Sequence, residues 1–211
     1  MIIAVDGPAA SGKGTIAKAL AEHYALPHLD TGLLYRAVGL SVSHTGGDPD
    51  EETDALAACF FDDSLLDDPD LRTEATGALA SRVSVHGAVR AALVQRQRDF
   101  ANQEGGAVLD GRDIGTVIAP DADAKLFVTA SPRERARRRA LEMKRRGIAA
   151  DVDAIVADIE ARDARDMSRA NAPLVQAEGA DLLDTSDLAI DAAVQRAITL
   201  VDAQLERHRQ G

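Results

Sequence analysis

The sequence predicts an α/β fold built on a five-stranded, mostly parallel sheet, and three observations carry that prediction. Five short runs with an apolar core, residues 2–5, 27–29, 107–109, 125–129 and 181–183, are spread along the chain. Between them, apolar residues recur at helical rather than alternating spacing. Strands separated by helices join through crossovers, and crossovers build parallel sheets. With 211 residues and 45% apolar content, there is material for one domain with a small inserted lobe, and global disorder is excluded.

The elements follow in order. The first strand is fully apolar, as a strand buried on both faces should be, and ends at Asp6 and Gly7. Ile16, Ala19, Leu20 and Tyr24 then predict a helix from near Lys13. The strand at 27–29 precedes a helix over 33–43, stopped by Gly46, Gly47 and Pro49. Residues 48–74 lack alternation and read as short helices and loops. Val85, Val89, Leu93 and Val94 predict helix over 79–100, interrupted near Gly87. The run at 107–109 ends in an acid, Asp110. After the strand at 125–129, Ser131-Pro132 opens a helix. Two charged helices, 132–146 and 151–170, are separated by Gly147. A short strand at 181–183 and a closing helix over 187–207 complete the chain.

Charge narrows the function classes. The chain carries 35 acids and 24 bases, a net −11, which argues against a protein that coats nucleic acid. The imbalance is local. Residues 48–74 hold eleven acids and only Arg72, so that segment supplies −10 and the remainder is near neutral. Eight of the 24 bases lie between Arg133 and Arg146. The acidic segment is expected on the outer surface of its lobe, turned away from any anionic ligand. Cys59, the single cysteine, flanked by Phe60 and Phe61, reads as a small core residue and fits a reducing cytosol. No basic and apolar leader and no run of about 20 apolar residues is present, so no membrane association is expected.

One motif carries most of the chemistry. Gly7-Pro8-Ala9-Ala10-Ser11-Gly12-Lys13-Gly14-Thr15 links the first strand to the first helix. Glycines there let backbone N–H groups wrap a phosphate at a helix N-terminus, and Lys13 reaches the terminal phosphates of a nucleoside triphosphate. The general pattern has a hydroxyl directly after the lysine; here Gly14 intervenes and Thr15 follows, the form found in nucleoside monophosphate kinases. Asn102 and Asn171 sit in no guanine-reading motif, and no Leu-Ser-Gly-Gly-Gln signature occurs. Five histidines without ligand spacing and 3% aromatics argue against a protein-built metal site and against stacking on single strands.

Further along, Leu29-Asp30-Thr31-Gly32-Leu33-Leu34-Tyr35-Arg36 and Asp110-Gly111-Arg112-Asp113-Ile114-Gly115-Thr116 each follow a strand, where α/β sheets place ligands. Arg162-Asp163-Ala164-Arg165-Asp166-Met167-Ser168-Arg169 puts Arg162, Arg165, Asp166 and Arg169 on one helix face. That spacing also suits a ladder of surface ion pairs. Together these elements closely resemble, over essentially the whole chain, the bacterial cytidylate kinase family of P-loop proteins.

The resemblance implies a three-layer P-loop fold with a core of residues 1–36 and 101–211. A mobile lid near 133–165 and a helical nucleoside monophosphate-binding lobe over 37–100 complete it, the acidic insert at 48–74 replacing extra strands common in the family. It implies a cytoplasmic, monomeric enzyme that transfers a phosphoryl group from ATP to CMP or dCMP, with Mg²⁺ held through phosphates and water. Gly7 to Thr15 are then the ATP loop, and Thr15 and Asp110 are candidates to assist the metal. Asp110 also suits a simple turn acid. Thr31, Arg36, Ser81, Arg90, Arg112, Asp113, Arg162 and Asp166 take the CMP role; Lys13, Arg112, Arg165 and Arg169 take the catalytic one. Ser81, Arg90 and Asp113 resemble the cytosine readers: a carboxylate accepts from the C4 amino group, while uracil offers only a carbonyl there. The basic run 133–146 resembles the lid, although a solvated helix face explains most of it equally. A related kinase acting on UMP, shikimate or dephospho-coenzyme A, or a nucleotide-sensing module without turnover, remains open at this point.

Overall fold

A computed structural model of the chain describes residues 1–145 and 147–210. Its centre is a five-stranded sheet of β1 (Ile2–Asp6), β2 (His28–Asp30), β3 (Ala107–Gly111), β4 (Ala124–Thr129) and β5 (Asp181–Asp184), in the order β2-β3-β1-β4-β5. All four pairings are parallel, so the sheet is wholly rather than mostly parallel. Register places Asp6 beside Gly111 and Asp30 beside Asp110, which gathers the acids at the carboxyl ends of three strands.

Alternation along β1 divides the core into layers. Ile3 and Val5 pack with Leu126 and Val128 against α1 (Lys13–Tyr24) and α8 (Ile190–Gln210). Ala4, on the other face, packs with Leu109, Ile114 and Ile118 near the end of α5 (Gly87–Ala101). These central strands are covered on both faces, which is why they read as continuous apolar runs.

Between β2 and β3 lie α2 (Thr31–Thr45), α3 (Glu52–Ala57), two 3₁₀ turns (Asp63–Asp67 and Pro69–Arg72), α4 (Glu74–Val83) and α5. They build a separate apolar cluster around Leu34, Val38, Val42, Val83 and Leu93. Cys59 packs against that cluster half-buried, its thiol pushed up to about 11 by burial, as a structural cysteine should be. The two charged helices, α6 (Pro132–Arg145) and α7 (Val152–Ser168), pack through Ala136, Ile155 and Ile159. Asp151 caps α7 by accepting from the N–H groups of Asp153 and Ala154. Arg146, the last base of the run, lies outside the described residues. Arg169 lies just past the end of α7 in an extended conformation, so it leaves the helical face on which spacing placed it.

Candidate active site

Residues 7–12 form the loop from β1 to α1. A Cβ on Gly7 would overlap the carbonyl oxygen of Val128, and Gly12 precedes the helix with φ of 90°. Only glycine meets both demands without strain. α1 has no side-chain cap, so its first N–H groups are available to an anion. Lys13 lies 4.0 Å from Asp110 Oδ2. Burial, with Arg112 adding repulsion, presses its ammonium down to about 8 despite Asp110 and Asp30. The lysine is held in a pocket where it lacks full compensation.

Asp110 is no surface turn acid. It is 2% exposed in β3, with Oδ1 2.8 Å from His28 Nε2, while Oδ2 faces Lys13. Asp30 does cap α2 by accepting from the Gly32 N–H, and it also lines the main cleft. That cleft, about 1170 Å³, runs past the phosphate loop between α4 and α6. Arg36, Arg139 and Arg162 enter it, and its far end is lined by Thr185, Leu188 and Ile190.

The residues expected on the acceptor side are brought together by side-chain bonds between several elements. Arg112 Nε donates to Asp166 Oδ2 at 2.9 Å, and Arg90 donates to Asp113 Oδ2 at 2.5 Å. Arg165 Nε donates to the Ser81 hydroxyl at 3.3 Å, joining α7 to α4. Arg36 donates to the carbonyls of Leu71 and Thr73, and the Thr31 hydroxyl donates to the Asp110 carbonyl. Burial would raise the Asp166 carboxyl, but Arg112, Arg169 and Arg162 outweigh it and hold it below its ordinary value. Burial and Arg112 press Arg162 down to about 9. Arg162 Nε and Arg169 Nη2 are buried without a hydrogen-bond partner. These two guanidinium nitrogens have donor capacity left for added acceptor oxygens.

The basic run divides by role. Arg135 is buried and bonds the Ala9 and Ala130 carbonyls and both carboxylate oxygens of Asp163. Arg138 bonds the Ser11 carbonyl and Thr185. Both therefore brace the phosphate loop rather than a solvated face. Arg133 and Arg137 make exposed pairs with Asp153 and Glu134. Arg139 crosses the cleft to Glu74 at the start of α4. Here the expectation for the acidic segment needs correcting. Ten of its eleven acids avoid the cleft, but Glu74 opens the helix that forms the cleft wall and faces the arginines.

Two residues escaped the sequence reading. His28 has no ligand spacing in the sequence, yet pairing of β2 with β3 places it opposite Val108 with its ring in reach of Asp110. Asp6 is 3% exposed and accepts the N–H groups of Ile114 and Gly115, both at 2.8 Å. Burial pushes its carboxyl up to about 7 against the pull of those bonds. An acid ending a fully apolar strand was a signal available in the sequence.

Comparison with known proteins points to one family. The family model described as cytidylate kinase matches residues 3–203. The chain is 56% identical over 204 residues to a cytidylate kinase of Rhodopseudomonas palustris (strain BisA53), covering 96% of this chain and 97% of that protein. It is 57% identical to one from Xanthobacter autotrophicus, covering 97% and 98%. A Brucella suis cytidylate kinase is 54% identical over 209 residues, covering 99% and 95%. Among solved structures, an uncharacterized protein from Eubacterium ventriosum aligns with a TM-score of 0.53 at 18% identity over 96% of this chain and 99% of that one, a likeness of fold.

Proposed function

The chain belongs to the cytidylate kinase family, and on that premise we propose that it transfers the terminal phosphoryl group of ATP to CMP or dCMP, giving ADP and CDP or dCDP. One observation carries the reading: Lys13 of the phosphate loop and Arg162 are buried around Arg112, whose guanidinium adds to burial in pressing both of their charged forms down. Phosphoryl transfer requires two anions held in line with positive charge spread along the transferring group, and little covalent help. The loop N–H groups and Lys13 hold the donor; Arg36, Arg112, Arg162, Arg165 and Arg169 hold and neutralise the acceptor phosphate and the charge in transit. Arg162 and Asp166 suit the ribose, and Ser81, Arg90, Asp113 and Thr31 the cytosine end. The apolar wall of Leu188 and Ile190 suits the donor base.

Mg²⁺ fits as an ion carried mainly by phosphate oxygens and water. Among the described residues no three His, Cys, Asp or Glu side chains gather to hold a metal, while Thr15 and Asp110 Oδ2 offer one oxygen each. When bound, the ion supplies charge neutralisation between the two transferring phosphates. The lid (α6 and α7) and the helical lobe have cores of their own, which supports closure over both nucleotides and exclusion of water. Among the described residues no helix is long and apolar enough to cross a membrane, and the reading extends to a cytoplasmic monomer.

The test is ADP release from ATP against a panel of nucleoside monophosphates. CMP and dCMP should give the highest kcat/KM, well ahead of UMP. ATP binding without CMP-stimulated ADP release would instead indicate a nucleotide sensor.

A further inference from the structure

Asp113 stands at the N-cap position of a one-turn helix, Ile114–Ile118, where an aspartate ordinarily accepts its own turn's free N–H groups. It makes no such bond. Its carboxylate points instead to Arg90. The N–H groups it leaves behind are taken by a residue more than a hundred positions away: Asp6 Oδ1 accepts from Ile114 and Asp6 Oδ2 from Gly115. The fit is close. A Cβ on Gly115 would stand in van der Waals contact with Asp6 Oδ2 at 3.4 Å and press on the Ala177 methyl at 3.1 Å, so the carboxylate lies directly against this turn. Asp6 itself directly precedes Gly7, the first residue of the phosphate loop.

We infer that Asp6 is a specificity-positioning residue: by capping the 114–118 turn in place of Asp113, it releases the Asp113 carboxylate to read the base of the acceptor nucleotide. The inference rests on Asp113 as a cytosine reader. It also accounts for the Ile114-Gly115 part of the motif, which touches no nucleotide in that reading. Without Asp6, two buried N–H groups lose their acceptors, and the nearest replacement is the Asp113 side chain, one residue before the turn. Asp113 would then turn inward to its own helix and away from Arg90. An asparagine at position 6 keeps one acceptor and sets an amide NH₂ against the other N–H.

The experiment measures kcat/KM for CMP and UMP, and KM for ATP, in wild type, Asp6→Asn, Asp113→Asn and the double variant. The expected result for Asp6→Asn is a CMP-over-UMP preference reduced by about tenfold, with ATP KM within about twofold of wild type. The double variant should be no less selective than Asp113→Asn alone, because both act through one carboxylate. A uniform loss for both acceptors and for ATP, or selectivity losses that multiply in the double variant, would overturn the inference. If Asp113→Asn retains the CMP preference, the base-site reading fails and takes this inference with it; if Asp113→Asn loses it and Asp6→Asn does not, only the role of Asp6 fails. Should Asp6→Asn not fold, amide hydrogen exchange decides. Ile114 and Gly115 should be protected as strongly in Asp113→Asn as in wild type, and their deprotection would show that Asp113 was the cap.

Discussion

At the residue scale, the site is defined by buried cations whose acidic neighbours compensate them only in part. Lys13 is the clearest case: burial and Arg112 hold it near 8, so its charged form is less favoured than that of an ordinary lysine and is shed above pH 8. Lys13→Ala should therefore lower kcat by roughly a hundredfold or more, since it removes positive charge from the transferring group. Its melting temperature should be unchanged or higher, because the substitution relieves a buried charge. The same depression predicts proton uptake. ATP binding raises the lysine back toward its ordinary value, so above pH 8 the complex takes up a proton that the free protein has shed. Titration calorimetry at pH 8.5 in buffers of different ionisation enthalpy should show it, and the Lys13→Ala protein should not. Equal apparent enthalpies for wild type in all buffers would contradict the assignment.

At the element scale, α7 holds the acceptor-side charges and its N-terminus depends on Asp151. Asp151→Ala removes the acceptor for two N–H groups and should cost about 1 kcal/mol of helix stability. Because Arg162 and Asp166 ride on that helix, the KM for CMP should rise severalfold while chemistry at saturation is nearly kept. Glu74 and Arg139 link the start of α4 to α6 across the cleft. As a half-exposed pair it should add little stability. Glu74→Gln frees Arg139 to face the phosphates, and substrate KM should fall two- to threefold at low salt, roughly the size of one screened surface charge. No change in KM at any ionic strength would leave the pair without a role in binding. The phosphate loop, by contrast, was legible residue by residue, because its glycine demands are local. The bracing of that loop by Arg135 and Arg138 was not, since both come from a helix that touches it only after folding.

At the scale of the whole molecule, the buried network of Arg112, Arg169 and Asp166 couples stability to pH. The Asp166 carboxyl is held below its ordinary 3.8 in the folded state. The sign is then fixed: its contribution is complete above the unfolded value and is lost as pH falls through the lower folded one. At neutral pH, Asp166→Asn leaves buried guanidinium charge uncompensated and should cost about 3 kcal/mol or more. Denaturant titrations across pH should show that gap full near pH 7 and closing below 3.8. A gap that persists undiminished in acid would mean that packing, not charge, sets the loss.

The sequence by itself determined the succession of strands and helices along the chain, the phosphate-loop motif and, through its family resemblance, the arginines and acids proposed to meet nucleotides. Those features depend on periodicity, on backbone conformations only glycine adopts, and on motifs read within a few residues. It also located −10 of the net −11 in one segment, most of which avoids the cleft. Only the tertiary structure decided which acid serves which partner. Parallel pairing set His28 opposite Val108 with its side chain in reach of Asp110 two residues on, and the close approach of β1 to the turn after β3 gave Asp6 the capping bonds that Asp113 does not make. Hydrogen-bond partners 82 to 109 residues apart leave no periodic trace, so their pairing emerges only when the sheet brings the strand ends together.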